Sequence, residues 1–201
     1  MLFSDTYLTI EHKANIIFKD KGSKFLAFAF PVENDAQIKD ALLQLKKEHP
    51  NANHHCYAYR LGADKLNYRA NDDGEPNNTA GKPILGQMQS NDLTNVLIVV
   101  VRYFGGTLLG VSGLINAYKS SAAEVIKECN IIEKFISFNY TISFPFEHLN
   151  DVMKLLKQTD CKIIAQQFDN DCEISFSIRK ANSEVCEEKL KKLNGLKLTY
   201  Q

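Results

Sequence analysis

Six consecutive apolar residues, Val96-Leu97-Ile98-Val99-Val100-Val101, constrain this chain more than any other feature; all but Leu97 are β-branched. The run is far shorter than the ~20 residues that cross a bilayer, and no polar residue interrupts it. It therefore reads as a central strand covered on both faces. Arg102 ends the run. The turn Gly105-Gly106-Thr107-Leu108-Leu109-Gly110 then leads into a helix with apolar positions at Val111, Leu114, Ile115, Tyr118, Ala122, Val125, Ile126 and Cys129, and this helix packs on the sheet.

Upstream, Tyr7-Leu8-Thr9-Ile10 and Asn15-Ile16-Ile17-Phe18 read as strands around a turn at Glu11 to Ala14. Lys24 to Phe30 reads as a third, after a turn at Lys21-Gly22. Asn34 with Gln37 matches a capping box, and Ile38, Ala41, Leu42 and Leu45 continue a helix that Pro50 closes. In the strand Asn53 to Arg60, alternation puts His54, Cys56 and Ala58 on one face and His55, Tyr57 and Tyr59 on the other. From Arg69 to Thr94 no periodicity is usable. A polar loop of that length inside a domain is usually functional.

From about Phe138 the pattern restarts. Phe138, Tyr140, Ile142 and Phe144 alternate, and Leu149, Val152, Met153, Leu155 and Leu156 form a helical stripe. Strands Cys161 to Phe168 and Cys172 to Ile178 flank a turn at Asp169-Asn170-Asp171. A helix carrying Val185, Leu190 and Leu193 stops at Gly195, and Leu196, Leu198 and Tyr200 alternate. This order, βαββαβ, is the ferredoxin-like pattern. The expected organisation is α+β in two domains, residues 1–134 and 137–201.

Charge narrows the partners. The 24 Lys+Arg balance 24 Asp+Glu, with 15 against 15 before Ile136 and 9 against 9 after it. Neither half is a basic module, so nucleic-acid binding must come from a local patch. The five cysteines form no Cys-x-x-Cys pair and are odd in number, which fits neither a zinc ribbon nor a disulfide framework. They read as reduced. With no apolar segment of spanning length and no basic start before an apolar stretch, the chain reads as cytoplasmic.

The segment Gly105 to Ser112 reads G-x-x-x-x-G-V-S, with Val111 where a phosphate-binding P-loop has lysine, so nucleotide hydrolysis there is not expected. Its glycines and the following helix start could still receive an anion, or simply make a tight turn. Gly110-Val111-Ser112-Gly113-Leu114 lacks the last glycine of a nucleophile elbow. His54, His55, Asp72, Asp73 and Glu75 make a metal or acid/base cluster conceivable, but adjacent histidines on a strand face opposite ways. The acidic stretch is also ordinary turn chemistry. Arg102, at the end of a central strand, should meet a carboxylate or phosphate, with Asp72, Asp73 and Glu75 as the internal candidates.

Gly22-Ser23-Lys24-Phe25, His54-His55-Cys56-Tyr57-Ala58-Tyr59-Arg60, Asp72-Asp73-Gly74-Glu75-Pro76, Thr79-Ala80-Gly81-Lys82-Pro83-Ile84-Leu85 and Val101-Arg102-Tyr103-Phe104-Gly105-Gly106 together resemble the YigZ/IMPACT family. The resemblance implies a first domain of the βαβ type shared by a small-subunit ribosomal protein and domain IV of elongation factor G. The ferredoxin-like tail fits the bacterial branch, without the extra N-terminal module of eukaryotic relatives. The implied setting is translation. Asn77 and Asn78, Leu108, Ser112 and Asn116 depart from the pattern the resemblance implies, and the loss of two cations, at Leu108 and Asn116, and of glycines weakens phosphate binding. Arg60, Arg69, Lys82, Arg102 and Lys119 remain as basic residues expected near the surface.

The resulting reading is a non-enzymatic, translation-associated binding or regulatory protein that contacts RNA, the ribosome or a translation-related protein. Its expected contact surface is Arg102, Gly105, Gly106, Gly110, Asp72, Asp73, Glu75, Thr79, Gly81, Lys82, His54 and Tyr57, with no catalytic residue, metal or cofactor assigned. Two alternatives stand: a hydrolase or metal-dependent enzyme using His54 or His55 with Asp72, Asp73 and Glu75, and a protein-interaction scaffold.

Overall fold

The computed structural model describes residues 5–169 and 171–200. It is α+β and divides into two compact units: Tyr7–Lys134, and Phe135–Gln201 together with Asp5 and Thr6. No helix among the described residues is long and apolar enough to cross a membrane.

The larger unit runs β1 (Thr6–Ile10), β2 (Ala14–Asp20), β3 (Ser23–Pro31), α1 (Asp35–Glu48), β4 (His54–Leu61), β5 (Asn67–Asn71), α2 (Gly81–Ser90), β6 (Val96–Tyr103), α3 (Gly110–Lys127) and β7 (Ile131–Phe135). Five strands form one sheet in the order β2-β3-β6-β4-β5, and the apolar run is its middle strand. Both neighbours of β6 are antiparallel to it, so β3 and β4, joined through α1, run parallel with β6 between them. Arg102 does stand at the end of the central strand, but the strands on either side of it run antiparallel to it. Every residue from Val96 to Val101 is fully buried. Val96, Ile98 and Val100 pack with Ile84, Met88, Tyr118 and Val125 of α2 and α3, while Leu97, Val99 and Val101 pack with Ile38, Ala41 and Leu45 of α1.

Local chemistry explains the ends. Asn34 Oδ1 accepts from the Gln37 amide at 3.0 Å, and the Gln37 side chain returns to the Glu33 amide at 2.7 Å, capping α1 from both sides. The β2–β3 turn places Lys21 and Gly22 at positive φ, the pairing that a two-residue hairpin needs.

Three expectations change. The β1 strand does not pair with β2 across the Glu11 turn; it pairs with β7, which alternates too weakly to be read from sequence. The loop from Arg69 to Thr94 contains the end of β5 and all of α2. Gly81, Pro83 and Gly86 obscure that helix, whose buried face is Ile84, Leu85 and Met88. On α3, Val111 is exposed, and Leu114, Ala117, Tyr118, Ser121, Ala122, Val125 and Ile126 form the inward face.

The smaller unit runs β8 (Ser137–Pro145), a short 3-10 turn (Phe146–His148), α4 (Leu149–Gln158), β9 (Lys162–Phe168), β10 (Asp171–Arg179), α5 (Lys180–Leu190) and β11 (Lys197–Tyr200). Its antiparallel sheet has the order β11-β8-β10-β9. Tyr140, Ile142 and Phe144 of β8 meet Ile174 and Phe176 of β10 under Val152, Leu156, Cys186 and Leu190. On α5, Val185 is exposed and Ser183, Cys186 and Leu190 face inward, which corrects the expected stripe. The turn expected at Asp169-Asn170-Asp171 includes residue 170, outside the described residues. All five cysteines are free thiols.

Candidate functional site

The acidic loop and the glycine turn meet beside the end of β6. Between them lies a cleft of about 450 Å³, bounded by Asn53 and His54 at the start of β4, Glu75 and Pro76 of the loop, Arg102, and the segment from Phe104 to Val111 that enters α3. Arg102 and Glu75 form its floor. Both are nearly sealed, and Arg102 Nη1 donates to Glu75 Oε1 at 2.5 Å. The same oxygen accepts from the Tyr118 hydroxyl at 2.8 Å, and His54 Nε2 stands 3.8 Å away. The Arg102 guanidinium lies 5.5 Å from the centre of the Phe25 ring and 5.6 Å from that of Phe104. Its Nε is buried without a hydrogen-bond partner among the described residues.

Each acid of the loop has its own work. Asp72 Oδ1 accepts from the amides of Ala80 and Gly81 at 3.0 and 2.8 Å, and Oδ2 from that of Asn78 at 2.8 Å. Asp72 is thus the anionic cap of α2, acting from nine residues before Gly81. Asp73 accepts from the His55 amide at 2.6 Å, while its carbonyl meets His54 Nδ1 at 2.8 Å. Thr79 is buried and donates to the Pro76 carbonyl at 2.7 Å, inside the loop. The Cys56 thiol donates to the Asp72 carbonyl at 3.0 Å and lies 3.3 Å from the Tyr118 hydroxyl. Burial pushes both the thiol and the phenol well above their ordinary pKa values. Neither supplies an anionic nucleophile at neutral pH. Among the described residues, no three of His, Cys, Asp and Glu converge on a point that could hold a metal ion.

The glycines divide by role. A Cβ on Gly105 would lie 1.9 Å from the carbonyl carbon of Gly22, so only glycine lets the two turns touch. Gly81 is pressed on Asn71 in the same way. Gly106 and Gly110 face open space at positive φ, and Gly110 borders the cleft at the start of α3, whose first turn has no side-chain cap.

Of the residues expected to form one surface, His54, Glu75, Arg102 and Gly110 line the cleft. Lys82 borders a separate hollow with Lys119. Tyr57 faces the other side of the sheet, as strand alternation requires. Arg60 and Arg102, expected near the surface, are buried; Arg60 Nη1 donates to the Leu93 carbonyl at 2.9 Å. Sequence reasoning missed the apolar rim. Phe104, Leu108 and Val111 are 45%, 84% and 60% exposed; the signal for Phe104 and Leu108 is an apolar residue in a turn where no core demands one, whereas Val111 stands on the outer side of the first turn of α3.

The family model for the Impact N-terminal domain matches residues 21–126, more than half of the chain and all of the cleft. The chain belongs to the IMPACT family. An IMPACT family member of Haemophilus influenzae is 32% identical over 196 residues, covering 94% of each chain. The IMPACT family member YigZ of Escherichia coli is 32% identical over 166 residues, 82% of this chain and 81% of that one. A crystal structure described as that of a hypothetical protein superposes with a TM-score of 0.78 at 29% identity, covering 98% of this chain and 97% of its own. In this IMPACT-family chain Leu108 contributes to the apolar rim.

His55, on the far side of β4, gives a pH prediction. Burial, the largest influence, lowers its pKa, with Asp73 pulling the other way. The folded chain thus keeps His55 neutral where the unfolded chain begins to protonate, below about pH 6.5. The unfolded state then binds more protons, so stability falls as pH drops through that range, by at most about 1.4 kcal/mol per pH unit. Urea denaturation of wild type and His55→Gln at a series of pH values checks this. The variant should lose that part of the slope, and parallel profiles would rule the assignment out.

Proposed function

We propose that this IMPACT-family chain is a non-enzymatic, translation-associated binding protein that grips a protein component of the translation machinery through the cleft over Glu75 and Arg102. The observation that carries this reading is the rim: Phe104, Leu108 and Val111 stand in solvent around a cleft whose one buried cation is already matched by Glu75. A phosphate entering there would compete with a carboxylate 2.5 Å from the guanidinium. An apolar side chain instead gains from leaving water and disturbs no ion pair.

The translation setting comes from the family resemblance, and two architectural features support it. The β3–α1–β4 crossover with parallel ends suits a domain of the ribosomal-protein and elongation-factor-G-domain-IV type. The βαββαβ order and the strand order β11-β8-β10-β9 suit a ferredoxin-like second domain.

Cosedimentation with ribosomes tests the proposal. Wild type should sediment with them and persist as salt rises, because the contact is apolar. Leu108→Glu with Val111→Glu, both at exposed positions, should weaken association on the order of tenfold. No association even at low ionic strength, or a variant that sediments like wild type, would overturn it.

The hydrolase reading keeps one observation, the approach of His54 to Glu75. It is weakened by the division of labour around it, since the Asp72 and Asp73 carboxylates accept backbone amides and His55 faces away. A stoichiometric metal ion in purified protein would favour it.

A further inference from the structure

The face of β4 opposite the cleft carries a surface of different chemistry. Alternation turns Tyr57 and Tyr59 away from Cys56 and Ala58, and a groove of about 540 Å³ lies between them and α1. In the antiparallel register Tyr57 stands opposite Asn71 on β5 and Tyr59 opposite Arg69. Lys39 and Lys46 line the groove from α1. Both lysines and Arg69 are exposed, and none of them enters an ion pair among the described residues.

Two acids, Asp35 and Asp73, also border the groove, so its three cations are in excess by one. Asp73 holds the His55 amide, and Asp35 lies in the first turn of α1, where free amides favour an anion. Three cations without partners thus sit beside two aromatic rings on a chain whose overall charge is zero.

We propose that this groove binds a short unpaired stretch of nucleic acid, with Tyr57 and Tyr59 as stacking faces and Arg69, Lys39 and Lys46 neutralising its phosphates. Every base offers a π-face, so the site tolerates any sequence, and Asn71, whose Oδ1 accepts from the Asp73 amide at 2.8 Å, can offer its side-chain N–H to a base edge. A duplex keeps its bases stacked on each other and has no face to give. Three phosphate contacts on a single strand imply that log K falls against log salt with a slope of about −2. This surface lies on the other side of the sheet from Leu108 and Val111, so it stands or falls separately from the cleft.

Fluorescence anisotropy with labelled oligouridylate, oligothymidylate and a duplex RNA, each of about ten nucleotides or base pairs, tests it. Both single strands should bind with the stated salt slope and the duplex at least tenfold more weakly. Preference for oligouridylate would assign the natural ligand to RNA, and equal affinity would show recognition by stacking alone; both support the proposal. The exposed triple change Lys39→Gln, Lys46→Gln, Arg69→Gln should weaken binding on the order of tenfold and flatten the slope. Tyr59→Leu should weaken it by about tenfold with the slope kept. The Leu108→Glu, Val111→Glu variant should bind like wild type. Absence of single-strand binding at low salt, a duplex bound as tightly, or full affinity in the triple variant would overturn the proposal.

Discussion

Replacing Glu75 by alanine should cost about 3–5 kcal/mol of stability, because it leaves the Arg102 charge buried without its counter-ion. The Tyr118 hydroxyl loses its acceptor in the same step. The informative comparison is with removal of both charges. Glu75→Leu combined with Arg102→Met takes away the ion pair and its desolvation together, so the double variant should be markedly more stable than Glu75→Ala. Equilibrium urea denaturation of the three proteins decides it. If Glu75→Ala lost less than about 1 kcal/mol, the pair would behave as a surface salt bridge and the sealed floor of the cleft would be wrong.

Gly105→Ala should be the next most damaging single change, on the order of 3 kcal/mol. The added methyl would meet the backbone of Gly22 and Ser23, which cannot rotate aside as a side chain can. Gly106→Ala is its control. Gly106 has positive φ but open space around it, so alanine there carries only the backbone penalty, about 1–2 kcal/mol. Thermal or urea unfolding should rank Gly105→Ala well below Gly106→Ala in stability. The reverse order would mean that the two turns do not touch as described. Because Gly105 anchors the turn that carries Leu108, the same change should also reduce ribosome association.

What the sequence revealed depended on how local each cause was. The middle strand was plain because burial on both faces leaves no polar residue between Val96 and Val101. The turn at Lys21-Gly22 and the cap at Asn34 were plain because each is contained in four residues or fewer. α2 was hidden because its cap, Asp72, lies nine residues before the helix and its first turns hold Gly81, Pro83 and Gly86. The fate of Arg102 was undecided for the same reason: its carboxylate partner is 27 residues away in sequence, and three acids were equally eligible. Alternation alone separates His54 from His55 and Tyr57, so Tyr57 cannot share the contact surface expected around Arg102. The structure assigns it to the opposite face, where its neighbours are Arg69 and the lysines of α1.

One strand, β4, furnishes residues to both the cleft and the groove, odd positions looking one way and even positions the other. A deletion of a single residue within it would exchange the tenants of the two sides, sending tyrosines into the buried interior and small residues out to the groove. The bonds from Asp73 to the main chain and ring of this strand therefore act as a registration pin. Insertions and deletions between positions 54 and 61 should be far less tolerated than substitutions that preserve parity.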